Sequence, residues 1–392
     1  MSERVFCIGF LPTGLDMNDP PLVMAHKDIM GNRSVKLVSQ ILVLASPARR
    51  NAKSNPYNEL LSDHLEAECC RVEEFTLRRA LIDRADIVHI HWPQSSARGS
   101  LRGALKRSLN LWFRLAVQKI RGAKVVWTVH NIHAHDQNNM WLERLLMAMI
   151  LPMVDGLVFL SESSRSVGYT EIPSLAAKPH VVIPHGVYGD RYSTSLSSSE
   201  AREQFGLPVF DHVIGFIGDI RPNKGLFRLL TAVESIEPET TLFIAGQIGS
   251  PLSFRKKTEE KIKDLQRKGH RIVFRHHRLG DAEMAAAIRA CDIIAMPYRE
   301  IANSGLAILV LEHGARILAS DAPIFREIQR EVGGWWIQIV DGEWTGMSIE
   351  SALRVRKPVD VTDSIHSFRQ RREWPEIAAM TRNFYDRLLA GR

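Results

Sequence analysis

The chain repeats one pattern twice: a short apolar run rich in β-branched residues, a loop, and then a stretch with helical periodicity. This alternation is typical of parallel α/β units, because parallel strands need a crossover that is usually a helix. The pattern therefore predicts two doubly wound, Rossmann-like α/β domains in tandem. The apolar runs stand at 35–45, 87–90, 124–129, 156–160 and 180–183, and then at 212–217, 241–245, 271–274, 292–296, 316–319 and 336–340.

A polar, serine-rich stretch at 186–200 separates the two sets of runs and is interpreted as the interdomain linker. The 392 residues exceed what one hydrophobic core usually serves, which agrees with two domains. We expect an N-terminal extension at 1–34, a first domain at 35–200 and a second at 201–368. Ligands of such domains bind beyond the carboxyl ends of the strands, so two domains in tandem would face a ligand cleft.

The composition favours a cytoplasmic chain without a membrane span. The most apolar stretch, at 142–154, is interrupted by Glu143, Arg144 and Pro152, and is too short to cross a bilayer. The four cysteines have no metal-ligand spacing and suit a reducing compartment. The net charge of +7 is concentrated locally, because 87–135 contains eight lysines and arginines and no acidic residue.

The segment 101–124 within this basic region predicts an amphipathic helix. Arg107, Arg114 and Arg121 fall on one side of it. This pattern predicts peripheral attachment to an anionic membrane surface on the inner face of the membrane. The alternative is a core-facing helix with a solvated basic back. Nucleic acid is not expected as a partner, because the basic run lacks a recognisable reading module. The apolar side of the helix would carry Leu105, Leu109, Trp112, Ala116 and Ile120.

The first candidate site follows the first apolar run of the second half. Residues 218–225 read Gly-Asp-Ile-Arg-Pro-Asn-Lys-Gly and precede a helical stretch. Arg221 and Lys224, three residues apart in a glycine turn that opens a helix, would present two cations and free N–H groups to a diphosphate. The alternative is a solvated turn whose cations have no ligand.

The second candidate site follows the run that ends at Met296. Asn303, Ser304 and Gly305 form a small polar opening to a helix, so their amides are available to a phosphate. Glu312 stands two turns further along, between apolar and small residues, and is a candidate to hold a ribose diol. Without a ligand it would be a surface glutamate.

Histidines stand at the ends of several apolar runs. His130 is the candidate histidine for the active cleft. His133 and His135 follow it, and the cluster imitates a metal site, although loop histidines after a strand serve equally well as hydrogen-bonding groups for a ligand. His89 and His91 are expected to be satisfied core residues or to support residues that contact the ligand, and His185 is expected at the domain junction.

These motifs together resemble the family 4 type of GT-B glycosyltransferases, particularly bacterial members that build exopolysaccharides. The resemblance covers roughly 36–392 and implies an enzyme that moves a hexose from a UDP-sugar or GDP-sugar, with no metal, to a lipid-linked glycan acceptor. It implies an acceptor-binding first domain, a donor-binding second domain and a C-terminal helix at 369–392 that returns to the first. The segments that carry it are 55–61, 86–93, 127–131, 183–186, 218–225, 297–314 and 318–321.

One departure from the family concerns the donor sugar. The family usually has two glutamates eight residues apart, and here Ser304 stands eight residues before Glu312. The family is generally retaining, and its first glutamate contacts the sugar. Glu300 and Asn303 are therefore candidate sugar ligands. By the same resemblance, Arg221 and Lys224 would neutralise the diphosphate, and Ser304 and Gly305 would donate amides to it. His130 would act on the transferring sugar or on the acceptor hydroxyl, and hydrogen bonding to sugar hydroxyls is the favoured role for its cluster.

Two other functions are compatible with the same sequence. A nucleotide-sugar epimerase of the GT-B type would bind the same donor without an acceptor. A basic adaptor for membranes or nucleic acid would use the positive stretch without catalysis.

Overall fold

The computed structural model describes residues 6–7, 38–131, 139–236, 239–249, 251–299, 301–359 and 361–391. Only two residues of the predicted extension at 1–34 are therefore described. The chain divides into two compact units. In each unit, strands alternate with helices along the sequence. The first unit comprises Met1–Trp127, Asp136–Gly156 and Ala378–Arg392, and the second comprises Thr128–His135 and Leu157–Ile377.

The strands form two parallel six-stranded sheets and one short antiparallel pair, β1 with β2. The sheet orders are β4-β3-β5-β6-β7-β8 and β11-β10-β9-β12-β13-β14. The predicted fold class, two Rossmann-like doubly wound domains, is confirmed. The strands are β1 (Phe6–Cys7), β2 (Val38–Ser39), β3 (Ile41–Ser46), β4 (Cys70–Glu74), β5 (Ile87–Ile90), β6 (Lys124–Val129), β7 (Val154–Phe159), β8 (His180–Val182), β9 (His212–Ile217), β10 (Thr240–Ala245), β11 (Arg271–Arg275), β12 (Ile293–Met296), β13 (Arg316–Ser320) and β14 (Ile337–Val340).

The helices follow the strands as crossovers. Local signals set their ends: Ser197 caps α6 in a capping box, and the glycine at 206 closes that helix in the left-handed conformation. The helices are α1 (Tyr57–Ala67), α2 (Leu77–Ile82), α3 (Leu101–Ile120), α4 (Met140–Ile150), α5 (Glu162–Glu171), α6 (Ser198–Phe205), α7 (Leu226–Val233), α8 (Leu252–Arg267), α9 (Asp281–Arg289), α10 (Gly305–Glu312), α11 (Pro323–Val332), α12 (Gly346–Arg354), α13 (Val361–Gln370) and α14 (Trp374–Ala390).

The order of the second sheet determines where its ligand site lies. The strand order changes direction between β9 and β12, which pair with each other. In doubly wound sheets, ligands bind beyond the carboxyl ends of the strands at this switch point. The loops that follow β9 and β12 are the two candidate segments at 218–225 and 297–306. Under these loops the core is apolar, with Ile214, Phe216, Leu230 and Leu242 buried together.

Helix α3 is amphipathic, but its apolar side is not the side that packs against the unit. Leu105, Leu109 and Ile120, from the predicted apolar side, are 42%, 51% and 87% exposed. The alternative prediction, in which this apolar side faces the core, is therefore wrong for these three residues. Small and polar residues allow close packing on the buried side, which is formed by Ala104, Ser108, Leu111, Leu115 and Gln118.

The three arginines spaced by seven also differ from the prediction, because each is bound to a main-chain carbonyl of its own unit. Arg107 donates to the carbonyl of Arg98, and Arg121 donates to Ala80 and Asp83 at 3.2 Å. Arg114 donates to the carbonyl of Phe75 and lies over its ring; burial, with a smaller contribution from the charge of Arg50, lowers its pKa to about 10. These arginines hold α3 to the unit. Within the described part of the chain, no helix is long and apolar enough to cross a bilayer.

The C-terminal part of α14 belongs to the first unit. The Tyr385 hydroxyl forms a 2.6 Å hydrogen bond with Nδ1 of His89, and both side chains are buried. Burial lowers the pKa of His89 to about 3, so the imidazole is neutral. The prediction that His89 is a satisfied core residue is confirmed.

Tyr385→Phe should therefore lower the thermal midpoint of the first unit. The change removes a buried hydrogen bond, which costs about 1–2 kcal/mol. Scanning calorimetry measures the effect. The matched control is Tyr169→Phe, because the buried Tyr169 hydroxyl has no hydrogen-bond partner within the described residues. An equal shift in the two variants would contradict the assigned role of the Tyr385 hydroxyl.

Candidate functional site

The loop after β9 is shaped by a glycine that no other residue can replace without strain. Gly225 has a φ of 71°, and a β-carbon there would lie 1.9 Å from the carbonyl oxygen of Pro297. Both the positive φ and the close approach require glycine. The Arg299 N–H also donates to the carbonyl of Asn223 at 3.1 Å. The two candidate loops are therefore packed against each other.

Lys224 lies at the point where the two loops meet. Its ammonium nitrogen is 3.8 Å from the centroid of the Tyr298 ring. Burial, with a smaller contribution from the charge of Arg221, lowers its pKa to about 8. No hydrogen bond or ion pair of this ammonium occurs within the described residues. A partly desolvated cation of this kind is suited to an anionic ligand.

Arg221 stands on the exposed side of the same loop. Its guanidinium pairs with Asp219 at 2.7 Å, and both side chains are largely exposed. An exposed pair of this kind adds little to stability, so Arg221 can be redirected to a ligand at small cost. Arg221 and Lys224 thus present two cations to the region in front of the loop.

The loop after β12 leads into the N-terminus of α10. The Ser304 hydroxyl accepts the N–H of Ala307 at 3.2 Å and caps the helix. A β-carbon at Gly218 would lie 3.8 Å from Leu306, so the first turn of α10 is close to the first loop. The structure therefore brings the Arg221–Lys224 loop and the Ser304–Gly305 helix start together. N–H groups of a first helical turn attract anions.

Gly305, at the start of α10, lies against a segment that the sequence did not place there. A β-carbon there would lie 2.3 Å from the Tyr188 hydroxyl and 3.3 Å from Nε2 of His185. His185 is buried, its Nδ1 is 2.7 Å from the carbonyl of Gly186, and burial lowers its pKa to about 4. Since a carbonyl can only accept, Nδ1 carries the proton of this neutral ring. The segment 185–188 therefore packs directly on the start of α10.

Glu312, at the other end of α10, binds the same segment. Its carboxylate oxygens accept the N–H groups of Tyr188 at 2.8 Å and Gly189 at 2.6 Å. Burial raises the pKa of this carboxyl, against the lowering effect of the two N–H donors. Each oxygen retains one lone pair, so the assignment of Glu312 to a ribose stays a prediction. In this structure the carboxylate fastens the 188–189 segment to α10.

Asn303 connects three segments of the second unit. Its amide nitrogen donates to the carbonyl of His130 at 2.9 Å, and its amide oxygen accepts the Ser161 hydroxyl at 3.4 Å. His130 is buried, at 6% exposure. His130 and Asn303 are therefore neighbours, as a common site requires. Their proposed roles toward a sugar stay predictions.

Glu300, the second candidate sugar ligand, lies outside the described residues, as do His133 and His135. In the ranges that the structure describes, no group of three histidine, cysteine or acidic side chains is arranged to hold a metal.

Sequence reasoning missed several residues around the site. Tyr298 lies within the segment 297–314 but was given no role. Ser161 stands two residues after β7, and a polar residue after a strand is the signal that identified the other candidates. Glu327 accepts the N–H groups of Glu162 and Ser163 at 3.0 and 2.7 Å, at the start of α5. Nothing in the local pattern around Glu327 indicates this distant contact.

Comparison with known proteins identifies the domain that carries both loops. Residues 211–345 match the model of the family described as Glycosyl transferases group 1. The chain carries a group 1 glycosyltransferase domain. The resemblance inferred from the motifs is thereby confirmed, as is the enzyme class.

Two curated relatives are themselves glycosyltransferases. The chain is 27% identical to a GDP-mannose:glycolipid 4-beta-D-mannosyltransferase of Xanthomonas campestris, over 87% of this chain and 90% of that protein. It is 23% identical to a D-inositol 3-phosphate glycosyltransferase of Corynebacterium urealyticum, over 81% of this chain and 72% of that protein.

Solved structures share the fold of this glycosyltransferase. Sucrose-phosphate synthase from Thermosynechococcus elongatus matches with a TM-score of 0.66 at 15% identity, over 90% of this chain and all of that one. HepE of Anabaena, in complex with UDP-glucose, matches with a TM-score of 0.62 at 14% identity, over the same shares. These likenesses show that the fold is GT-B.

The lowered pKa of Lys224 predicts a pH-dependent affinity for nucleoside diphosphates. The ammonium binds a diphosphate only when protonated, so affinity is constant well below pH 8 and falls as the pH rises through this value. The loss between pH 7 and 9 should reach about tenfold, since one proton is linked to binding. Calorimetric titration with GDP and UDP measures it. Lys224→Arg, which stays protonated, should remove most of the dependence; a wild-type affinity that does not change over this range contradicts the assignment.

Proposed function

We propose that this protein is a nucleotide-sugar-dependent hexosyltransferase that extends a lipid-linked glycan in bacterial exopolysaccharide or cell-surface glycan synthesis. The observation that carries the proposal is the junction of the two loops. There, a desolvated lysine, an exposed arginine and the start of α10 converge within a group 1 glycosyltransferase domain.

The junction suits the departure of a nucleoside diphosphate. Negative charge on the leaving diphosphate grows as the bond to the sugar breaks, so cations fixed at this point lower the barrier. Lys224, Arg221 and the amides of Ser304 and Gly305 supply positive charge from the protein. This set needs no metal, and we propose a metal-independent reaction.

The relatives narrow the choice of substrates. The Xanthomonas enzyme is named for GDP-mannose and a glycolipid, and its match extends over most of both chains. We therefore propose GDP-mannose as the first donor to test and UDP-glucose as the second. A lipid-linked acceptor places the reaction at a membrane surface, and we propose peripheral attachment to the inner face of the cell membrane.

The stereochemical outcome depends on the replacement at position 304. Family resemblance favours retention of the anomeric configuration. The Xanthomonas name specifies a beta-linked product, and Ser304 lacks the carboxylate that the family has at this position. Proton NMR of the product, compared with the donor, gives the outcome directly.

Arg221→Ala and Lys224→Ala should each lower turnover about a hundredfold. Losing one charge-assisted contact to a buried diphosphate costs about 2–4 kcal/mol of transition-state stabilisation. Release of GDP or UDP from a panel of nucleotide sugars, with and without lipid-linked acceptor, measures turnover. The matched control is Lys256→Ala, an exposed cation on α8 of the same unit.

Each arm of this assay has a distinct meaning. Nucleotide release that requires acceptor and survives EDTA supports a metal-independent transferase. Conversion of the donor sugar without acceptor indicates an epimerase instead. Near-normal turnover in both site variants would remove the diphosphate assignment.

His130→Ala should impair transfer while leaving nucleotide affinity close to that of the wild type. His130 is proposed to act on the transferring sugar or on the acceptor hydroxyl, not on the nucleotide. Single-turnover transfer and calorimetric binding of GDP separate the two effects. A parallel loss of nucleotide binding would make the buried His130 side chain a structural element that positions the main chain to which Asn303 binds.

A further inference from the structure

Exposed apolar side chains of the first unit are concentrated on two neighbouring helices, α3 and α4. Among the described residues, 17 large apolar side chains are exposed, and eight of them lie on these two helices. Helix α3 has 20 residues and α4 has 11, so these two helices hold far more of the exposed apolar side chains than an even distribution along the chain would give. The eight side chains are Leu101, Leu105, Leu109, Phe113, Ile120, Met140, Trp141 and Leu145.

The two helices lie side by side and run in the same direction. At their starts, the Asn139 side chain donates to the carbonyls of Ala97 at 3.0 Å and Gly99 at 2.8 Å. Near their ends, the Lys119 ammonium pairs with Asp155 of β7, the strand that follows α4 along the chain. Between these points Ala97, Ala104 and Leu142 form a small core cluster. The exposed side chains of both helices therefore belong to one surface, which we name the α3–α4 face.

The charge of the α3–α4 face has a single sign. The exposed charged side chains of the two helices are Arg102, Lys106, Arg107 and Arg144. The one acidic residue on these helices, Glu143, is buried, at 8% exposure. An apolar surface with only cations around it is complementary to a bilayer that contains anionic lipid.

We propose that the α3–α4 face inserts into the interfacial region of an anionic bilayer, with its leucines and aromatic side chains among the acyl chains. The proposal rests on the proposed function only in that a lipid-linked acceptor brings the enzyme to a membrane. It differs from attachment by the arginines spaced by seven, since Arg114 and Arg121 bind carbonyls of their own unit and only Arg107 is exposed beside the face. Insertion is driven by apolar burial, and the cations add attraction that salt weakens.

A second copy of the chain fits this face less well than a bilayer does. A symmetric dimer through α3 and α4 would place the same cations, including Arg102 and Lys106, near their counterparts. No acidic side chain exposed on either helix would offset that repulsion. Anionic headgroups supply the missing negative charge.

Vesicle co-sedimentation tests the α3–α4 face. The variant is Leu105→Ser, Leu109→Ser and Phe113→Ser combined, and the matched control is Leu77→Ser with Leu81→Ser, two exposed leucines on α2 of the same unit. With vesicles of phosphatidylcholine and 30% phosphatidylglycerol, we expect the triple variant to lose at least tenfold in affinity and the control to match the wild type. Wild-type binding should weaken in high salt but persist.

Trp141 provides a readout that a purely structural role would not change. Lipids brominated on the acyl chains should quench part of the wild-type tryptophan fluorescence, and that quenched part should be absent in Trp141→Phe. Quenching that is unaffected by Trp141→Phe, or equal vesicle binding in the triple variant and the wild type, would overturn the proposal. A concentration-dependent dimer that the triple variant abolishes, without vesicle binding, would assign the face to a second copy.

Comparing a water-soluble acceptor with a membrane-embedded one tests the membrane proposal independently of the proposed transferase function. With a water-soluble short-chain acceptor, the triple variant should keep wild-type turnover, and with acceptor embedded in vesicles it should lose most of it. Transfer to the soluble acceptor without any vesicle binding would overturn only the membrane face. Vesicle binding without transfer to either acceptor would instead overturn the transferase.

Discussion

The close approach of two loops at Gly225 is the constraint on which the candidate site depends. The sheet places β9 beside β12, so the loops that follow these strands start next to each other. They come into contact only because residue 225 adopts a positive φ and has no side chain to meet the carbonyl of Pro297. That contact places Lys224 over the ring of Tyr298 and partly out of bulk water. The property that suits the lysine to a phosphate is therefore a product of backbone packing.

Two buried or partly buried cations of the second unit, Arg372 and Lys224, differ in the groups that they bind. Arg372 is buried and forms a bidentate pair with Glu331 at 2.9 and 3.0 Å, which commits it to structure. Lys224 shares no such pair among the described residues, and its charge is favoured against desolvation by the ring of Tyr298 and by the more distant charge of Asp219. An anionic ligand would relieve that penalty on binding. The two cations differ in their partners, and these partners cannot be inferred from the number of positive residues in the sequence.

Periodicity predicted most of the sheets, and its failures have physical causes. All six strands of the second sheet were predicted, because each contains a short apolar run, and the four inner strands are almost wholly buried. Strand β4 was missed, since it lies at the sheet edge and includes Arg71, Glu73 and Glu74. For α3, the pattern predicted two faces but not which one packs, because Ala104 and Ser108 are small enough for close contact. Around the site, Tyr188 and Glu327 act through contacts more than 120 residues away in sequence, which no local motif encodes.

The serine at position 304 constrains the chemistry that the site can perform. Its hydroxyl accepts the Ala307 N–H and so maintains the first turn of α10, whose remaining amides are the proposed phosphate donors. A serine committed to this cap offers neither the negative charge of a carboxylate nor a free base to the sugar. If a sugar binds here, its polar contacts would come from other groups, and His130, whose carbonyl accepts the Asn303 amide next to α10, is one candidate. Under the proposed function, a serine at this position therefore caps α10 where the family has a carboxylate, and any acid–base role would pass to another side chain.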